Sequence, residues 1–141
     1  MKLAVIAFTA RGGALAQRLA ESFGGRAFGL GKGRIPGLEE ADSLNRWTAE
    51  RWQDSDGLIF VGACGIAVRA IAPYIKDKFT DPAVVTVDEK GQFVVPLLSG
   101  HVGGANELAL RVARVTGGQA AISTATDVNG LFAVDVWAKE R

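Results

Sequence analysis

Apolar residues fall in blocks along this chain, and the block period changes several times. Leu3 to Phe8 is an unbroken apolar run, which suits a strand buried on both faces, as in a parallel sheet. From Arg11 the spacing becomes four, with Leu15, Leu19 and Phe23 on one helical face and Gly24-Gly25 as the stop. Arg26 to Leu30 reads as a short strand. Gly31 to Gly37, rich in Gly, Lys and Arg, is a loop and the segment expected to be most mobile. Ser43 is a good N-cap for a helix through Leu44, Trp47 and Arg51. Gly57 to Val61 is the next buried strand. Beyond Gly62-Ala63-Cys64-Gly65, the residues Ile66, Ala67, Ala70 and Ile71 mark a helix that Pro73 interrupts or restarts.

The second half repeats this rhythm with one variation. Ala83 to Val87 and Gln92 to Val95 are β-rich, and Asp88-Glu89-Lys90-Gly91 between them is a hairpin turn. Leu97 to Gly104 is a loop. Ala105, Leu108, Ala109, Val112 and Ala113 then give the clearest helical period in the chain, ending at Gly117-Gly118. Gln119 to Ile122 is a last strand, Thr124 to Asp127 a turn, and Leu131 to Lys139 a terminal helix. Alternating strands and helices predict an α/β fold: one three-layer Rossmann-like domain over 1–141, with a mostly parallel sheet and one inserted β-hairpin. In such a fold the ligand belongs at the carboxyl ends of the strands.

Composition narrows the function classes. The chain has 141 residues, the size of one domain. Sixteen Lys and Arg balance fifteen Asp and Glu to a net charge of +1, so no basic field points to nucleic acid. One Cys and one His exclude an internal disulfide and a four-ligand structural zinc site, so no metal site is expected. No apolar run reaches the ~18–20 residues of a membrane span, and the first is too short for a signal segment. A cytoplasmic protein without a membrane partner is expected. The 18 glycines exceed the usual ~7% share, and many stand at strand-to-helix junctions.

Four such junctions are candidate ligand loops. Thr9-Ala10-Arg11-Gly12-Gly13 leads a strand into a helix, where backbone amides receive an anion or glycine simply allows a tight turn. In Gly62 to Arg69, Gly65 opens the next helix, and Arg69 is either a carboxylate clamp or a solvated surface arginine. Cys64 at that helix start is read as a buried structural thiol rather than a nucleophile. Ser99-Gly100-His101-Val102-Gly103-Gly104-Ala105-Asn106 is the most informative stretch, with glycines around the only histidine. His101 suits a general base, and neighbouring amides suit an oxyanion; a loop histidine held by backbone is the alternative. Ser99 lacks the Gly-x-Ser-x-Gly context of a nucleophile. Thr124, Thr126 and Asp127 offer hydroxyls and a carboxylate, or a helix cap. Trp47, Trp52 and Trp137 are assigned to core or interface. Neither a Gly-x-Gly-x-x-Gly fingerprint nor a P-loop is present, which counts against a nucleotide-binding domain.

Five strings, in order, resemble one family. They are Gly65-Ile66-Ala67-Val68-Arg69-Ala70-Ile71-Ala72-Pro73, Lys78-Phe79-Thr80-Asp81-Pro82-Ala83-Val84-Val85, Asp88-Glu89-Lys90-Gly91, Leu97 to Asn106, and Thr124-Ala125-Thr126-Asp127. Together they resemble the CbiG family of cobalt-precorrin-5A hydrolases, from the first strand to about Asp135. The resemblance implies an enzyme of anaerobic cobalamin biosynthesis that opens a δ-lactone on a cobalt-bound tetrapyrrole and releases acetaldehyde, giving cobalt-precorrin-5B. It implies no cofactor of the protein's own, because the cobalt arrives inside the substrate. The family usually carries a further C-terminal domain. That leaves open an excised fragment, or a short form partnered by a separate chain or by a copy of itself.

On this reading His101 activates water, amides of Gly103 and Gly104 face the oxyanion, and Asn106 orients either. Asp127 is a second-choice base or orients His101, and His101 is alternatively an axial ligand to substrate cobalt. Arg11, Arg69 and Lys78 receive the tetrapyrrole's carboxylates. Gly12, Gly13, Gly65, Ser99, Gly100, Thr124 and Thr126 complete the substrate-binding set. The competing class is a non-catalytic corrinoid-binding module of the same pathway.

Overall fold

The computed structural model describes residues 1–99 and 104–124. Its elements in order are β1 (Leu3–Ala7), α1 (Ala10–Phe23), β2 (Arg26–Gly29), β3 (Glu39–Glu40), α2 (Leu44–Asp54), β4 (Gly57–Val61), α3 (Cys64–Ile71), β5 (Ala83–Val87), β6 (Phe93–Leu98), α4 (Ala105–Thr116) and β7 (Gln119–Ala120). The seven strands form one sheet in the order β3-β2-β1-β4-β5-β6-β7. The first five run parallel, β6 pairs antiparallel with β5, and β7 follows β6 in parallel. Strand order reverses between β1 and β4, as in doubly wound folds.

The apolar runs become the central strands because both their faces are covered. Every residue of β1, β4 and β5 is buried. On one face Leu15 and Leu19 of α1 meet Leu108 and Val112 of α4 over Val5, Ile59 and Val85. On the other, Trp47 and Trp52 of α2 and Ala67 and Ile71 of α3 cover Ile6, Phe60 and Val84. Trp47 stands edge-on to Phe28 and Phe60, at 5.7 and 5.6 Å between centroids, so it is a core residue as expected.

Helix ends follow the sequence signals. Ser43 caps α2, its hydroxyl accepting from the Arg46 amide at 3.1 Å. Gly24 and Gly117 close α1 and α4 at φ 68° and 78°, where glycine alone is unstrained. Two features differ from expectation. The Gly31–Gly37 loop holds local structure its composition did not announce: it begins with a 3-10 turn, and Gly33 is buried against the end of β1, while Gly31, Lys32, Arg34, Pro36 and Gly37 are exposed. The short edge strand β3 carries no apolar pattern and was not foreseen. An Arg26–Glu39 pair, 2.7 Å apart, ties it to β2.

Candidate functional site

At the carboxyl edge of the parallel strands, α1 leaves β1 for one face and α3 leaves β4 for the other. A crevice of about 320 Å³ opens between them, bounded by Phe8, Thr9, Gly62, Ala63, Ile66 and the turn carboxylates of Asp88 and Glu89. Thr9 organises this edge. Its hydroxyl accepts from the Gly12 amide at 2.9 Å and donates to Glu89 Oε1 at 2.8 Å. The Gly13 amide donates to the Thr9 carbonyl at 2.8 Å. Both glycine amides are therefore taken, and beside them stands the exposed side chain of Arg11. Gly65 and Arg69 are exposed in α3. Cys64 is exposed as well, not buried as its sequence context suggested, at the first position of α3, three residues past the end of β4. Its Sγ lies 3.1 Å from Thr86 Oγ1.

The opposite, amino edge holds a second group. Antiparallel β6 ends beside the start of β5, with Leu98 paired to Val84, and so delivers Ser99 to this edge. Ser99 is buried and holds φ at 60°, an uncommon conformation for a residue with a side chain. Its carbonyl accepts from the Ala105 amide at 3.0 Å, and its hydroxyl donates to the Asp81 carbonyl at 3.4 Å. Asp81 is itself buried, and its carboxylate accepts from the amides of Lys76 and Asp77 at 2.9 and 3.1 Å. Gly104, at φ 88°, caps α4. At the second position of α4, buried Asn106 donates through Nδ2 to Thr124 Oγ1 at 3.0 Å. Lys78 lies in the segment leading into β5, with Nζ 5.4 Å from the Phe79 ring centre.

The foreseen residues thus divide. Arg11, Gly12, Gly13, Gly65 and Arg69 belong to α1 and α3, which start at the carboxyl edge; Lys78, Ser99, Gly104, Asn106 and Thr124 stand at the amino edge. Whether one edge gathers them was open from sequence order alone; the reversed direction of β6 carries Ser99 and its neighbours to the edge opposite Gly12 and Gly65. Gly100, His101, Gly103, Thr126, Asp127, Trp137 and the expected terminal helix lie outside the described residues. Sequence reasoning missed Asp81 as the anchor of the Ser99 turn. It also missed Arg18, two helical turns from Arg11, although that spacing places both on one face. Among the described residues no three His, Cys, Asp or Glu side chains gather as a metal site, and no helix is long and apolar enough to cross a membrane.

Residues 46–127 match the family model described as cobalamin synthesis G, N-terminal. Over 137 residues the chain is 46% identical to the cobalt-precorrin-5A hydrolase of Salmonella typhimurium, covering 96% of this chain and 39% of that protein. It is 51% identical over 83 residues to the cobalt-precorrin-5A hydrolase of Priestia megaterium, covering 59% of this chain and 22% of that one. Among solved structures, a cobalamin biosynthesis protein G homologue from Sulfolobus solfataricus superimposes with a TM-score of 0.67 at 23% identity, over 92% of this chain and 40% of that chain. That likeness is one of fold. With the family model matching more than half of its length, the chain belongs to the cobalamin synthesis G family.

Proposed function

We propose that this chain works in a cobalt-precorrin-5A hydrolase of cobalamin biosynthesis, opening the δ-lactone of the cobalt-bound tetrapyrrole with release of acetaldehyde. The name borne by its relatives supports the reaction. The observation that carries the site is the hydrogen bond between Asn106 and Thr124, beside the strained Ser99. Residues from two separate family strings meet there at the amino edge. Lactone hydrolysis needs an activated water, a polarised carbonyl and donors for the oxyanion. His101 serves as base, with Gly103 and Gly104 amides toward the oxyanion. Asn106 orients the water or the carbonyl, and Asp127 supports or replaces His101. Cobalt enters as part of the substrate.

The test is His101→Gln in the full-length enzyme that carries this chain, assayed for acetaldehyde from cobalt-precorrin-5A. Loss of roughly 10²–10⁴-fold in turnover is expected of a missing general base. Turnover near that of the unaltered enzyme removes the assignment. Unchanged turnover with a shifted cobalt spectrum makes His101 an axial ligand instead. A second reading is favoured by coverage, since the chain spans 39% of its Salmonella relative. In that reading this part holds the tetrapyrrole while the chemistry lies elsewhere, and His101→Gln weakens binding without abolishing acetaldehyde release.

A further inference from the structure

We propose that Asp81 is a positioning residue for the hydrolase: its carboxylate fixes a turn whose carbonyl holds Ser99, and through Ser99 the stem of the loop that bears His101. The inference deepens the function proposed above and rests on it. Asp81 is 7% exposed and enters no ion pair with a described residue. Burying a charge costs free energy unless hydrogen bonds offset it. Here the Lys76 and Asp77 amides converge on one oxygen, Oδ2, at 2.9 and 3.1 Å, and charge-assisted bonds of this kind are stronger than neutral ones. The Asp81 amide donates in turn to the Asp77 carbonyl at 2.9 Å. Pro82 follows, and a residue before proline is restricted towards extended backbone. Each of these bonds lies within residues 76–81, so the carboxylate shapes the turn itself. What the turn presents outward is the Asp81 carbonyl, which accepts from the buried Ser99 hydroxyl at 3.4 Å.

Ser99 needs that outside hold. A residue with a side chain keeps a left-handed φ of 60° only where its surroundings over-determine it. Two bonds do so: its hydroxyl donates to Asp81, and its carbonyl accepts from the Ala105 amide at 3.0 Å. The second bond closes the interval 100–104, and Gly104 at the far end of that interval is left-handed too, at φ 88°. His101 belongs to the interval in sequence, and Asn106 follows it closely. The stem therefore has one anchor in α4, whose Leu108 and Val112 are packed in the core, and the other in the Asp81 turn. On the strand side β6 gives less support, since β7 pairs only with Phe93 and Val94. A reacting group misplaced by about 1 Å can cost about 10²-fold in rate, so the hold on this stem bears directly on turnover.

The test uses the full-length enzyme that carries this chain, with the variants Asp81→Ala, Asp81→Asn, Ser99→Ala and the double variant Asp81→Ala/Ser99→Ala. Acetaldehyde release from cobalt-precorrin-5A gives kcat, thermal melting confirms folding, and amide hydrogen exchange reads the Ala105 N–H. Asp81→Ala is expected to lower kcat roughly tenfold or more and to speed exchange at Ala105, with the amides of β1 and β4 protected as before. Asp81→Asn keeps an acceptor oxygen without its charge, so a loss of only roughly threefold is expected. It replaces Asp81→Ala in every comparison if that variant does not fold. Because Asp81 acts through Ser99, the double variant is expected to lose no more than the larger of the two single losses. Losses that multiply in the double variant, or an unchanged kcat in Asp81→Ala, overturn the positioning role. Unchanged exchange at Ala105 overturns the hold on the stem and leaves the hydrolase reading standing. An unaltered enzyme that releases no acetaldehyde overturns that reading, and the positioning role with it, whatever Ala105 shows.

Discussion

Gly33 lacks a side chain because the Ala7 carbonyl stands where its Cβ would be, 2.3 Å away. Its role is close approach of two backbones, not a left-handed turn, and this pins the middle of a loop of flexible composition to β1. Gly33→Ala is expected to cost about 1–3 kcal/mol, as overpacking does, read as a lower midpoint in urea. Composition revealed an excess of glycine, but not which glycine touches which carbonyl, since that depends on a contact between segments distant in sequence. The Arg26–Glu39 pair is a second residue-scale device. Hydrogen bonding from Arg26 holds the Glu39 carboxyl below its ordinary range, against desolvation by partial burial and with the nearby charges of Arg26 and Arg51 helping. A carboxyl lowered in the folded state stabilises at pH above its unfolded value, and that contribution is lost as pH falls through the lowered one. Glu39→Gln is therefore expected to lower the melting temperature slightly at neutral pH and to match the unaltered protein in acid. Both side chains are about half exposed, so the neutral-pH effect is about half a kcal/mol.

At the scale of elements, the period of the apolar residues located most strands and helices, because buried parallel strands and amphipathic helices write their burial into the chain directly. Two elements escaped that logic. The two-residue strand β3 is Glu39-Glu40, exposed and acidic, and its pairing with β2 leaves no hydrophobic trace. Strand β6 was expected to stop at Val95, just before Pro96, a residue that cannot donate to a ladder. It runs on to Leu98 because the register against β5 shifts there, Leu97 being the extra residue, and because β7 pairs only with Phe93 and Val94. Helix α1 begins at a residue with two duties. Thr9 caps the helix and also ties it to the β5–β6 turn through Glu89. Thr9→Ala is expected to cost about 1–2 kcal/mol in chemical denaturation. Thr9→Ser keeps both bonds and recovers most of that loss.

For the whole molecule, the α/β class and the mostly parallel sheet were legible, and the grouping of the candidate residues was not. Sequence order places Gly62, Ser99 and Thr124 each after the end of a strand, but strand direction decides the edge to which each loop is delivered. The turn read at Asp88–Gly91 implies that β6 runs back against β5, as it does, but the turn alone does not say which loops that return brings together. The two groups are separated by the length of the strands, roughly 16 Å for a five-residue strand such as β1. One reversed strand thus gives the sheet two independently adjustable rims. Extra residues in the turns after Gly29 or Val87 would enlarge one rim. Extra residues before Ala83 or after Leu98 would enlarge the other. Each change leaves the opposite rim untouched, and the additions nearest the buried Gly33, Asp81 and Ser99 have to spare those contacts.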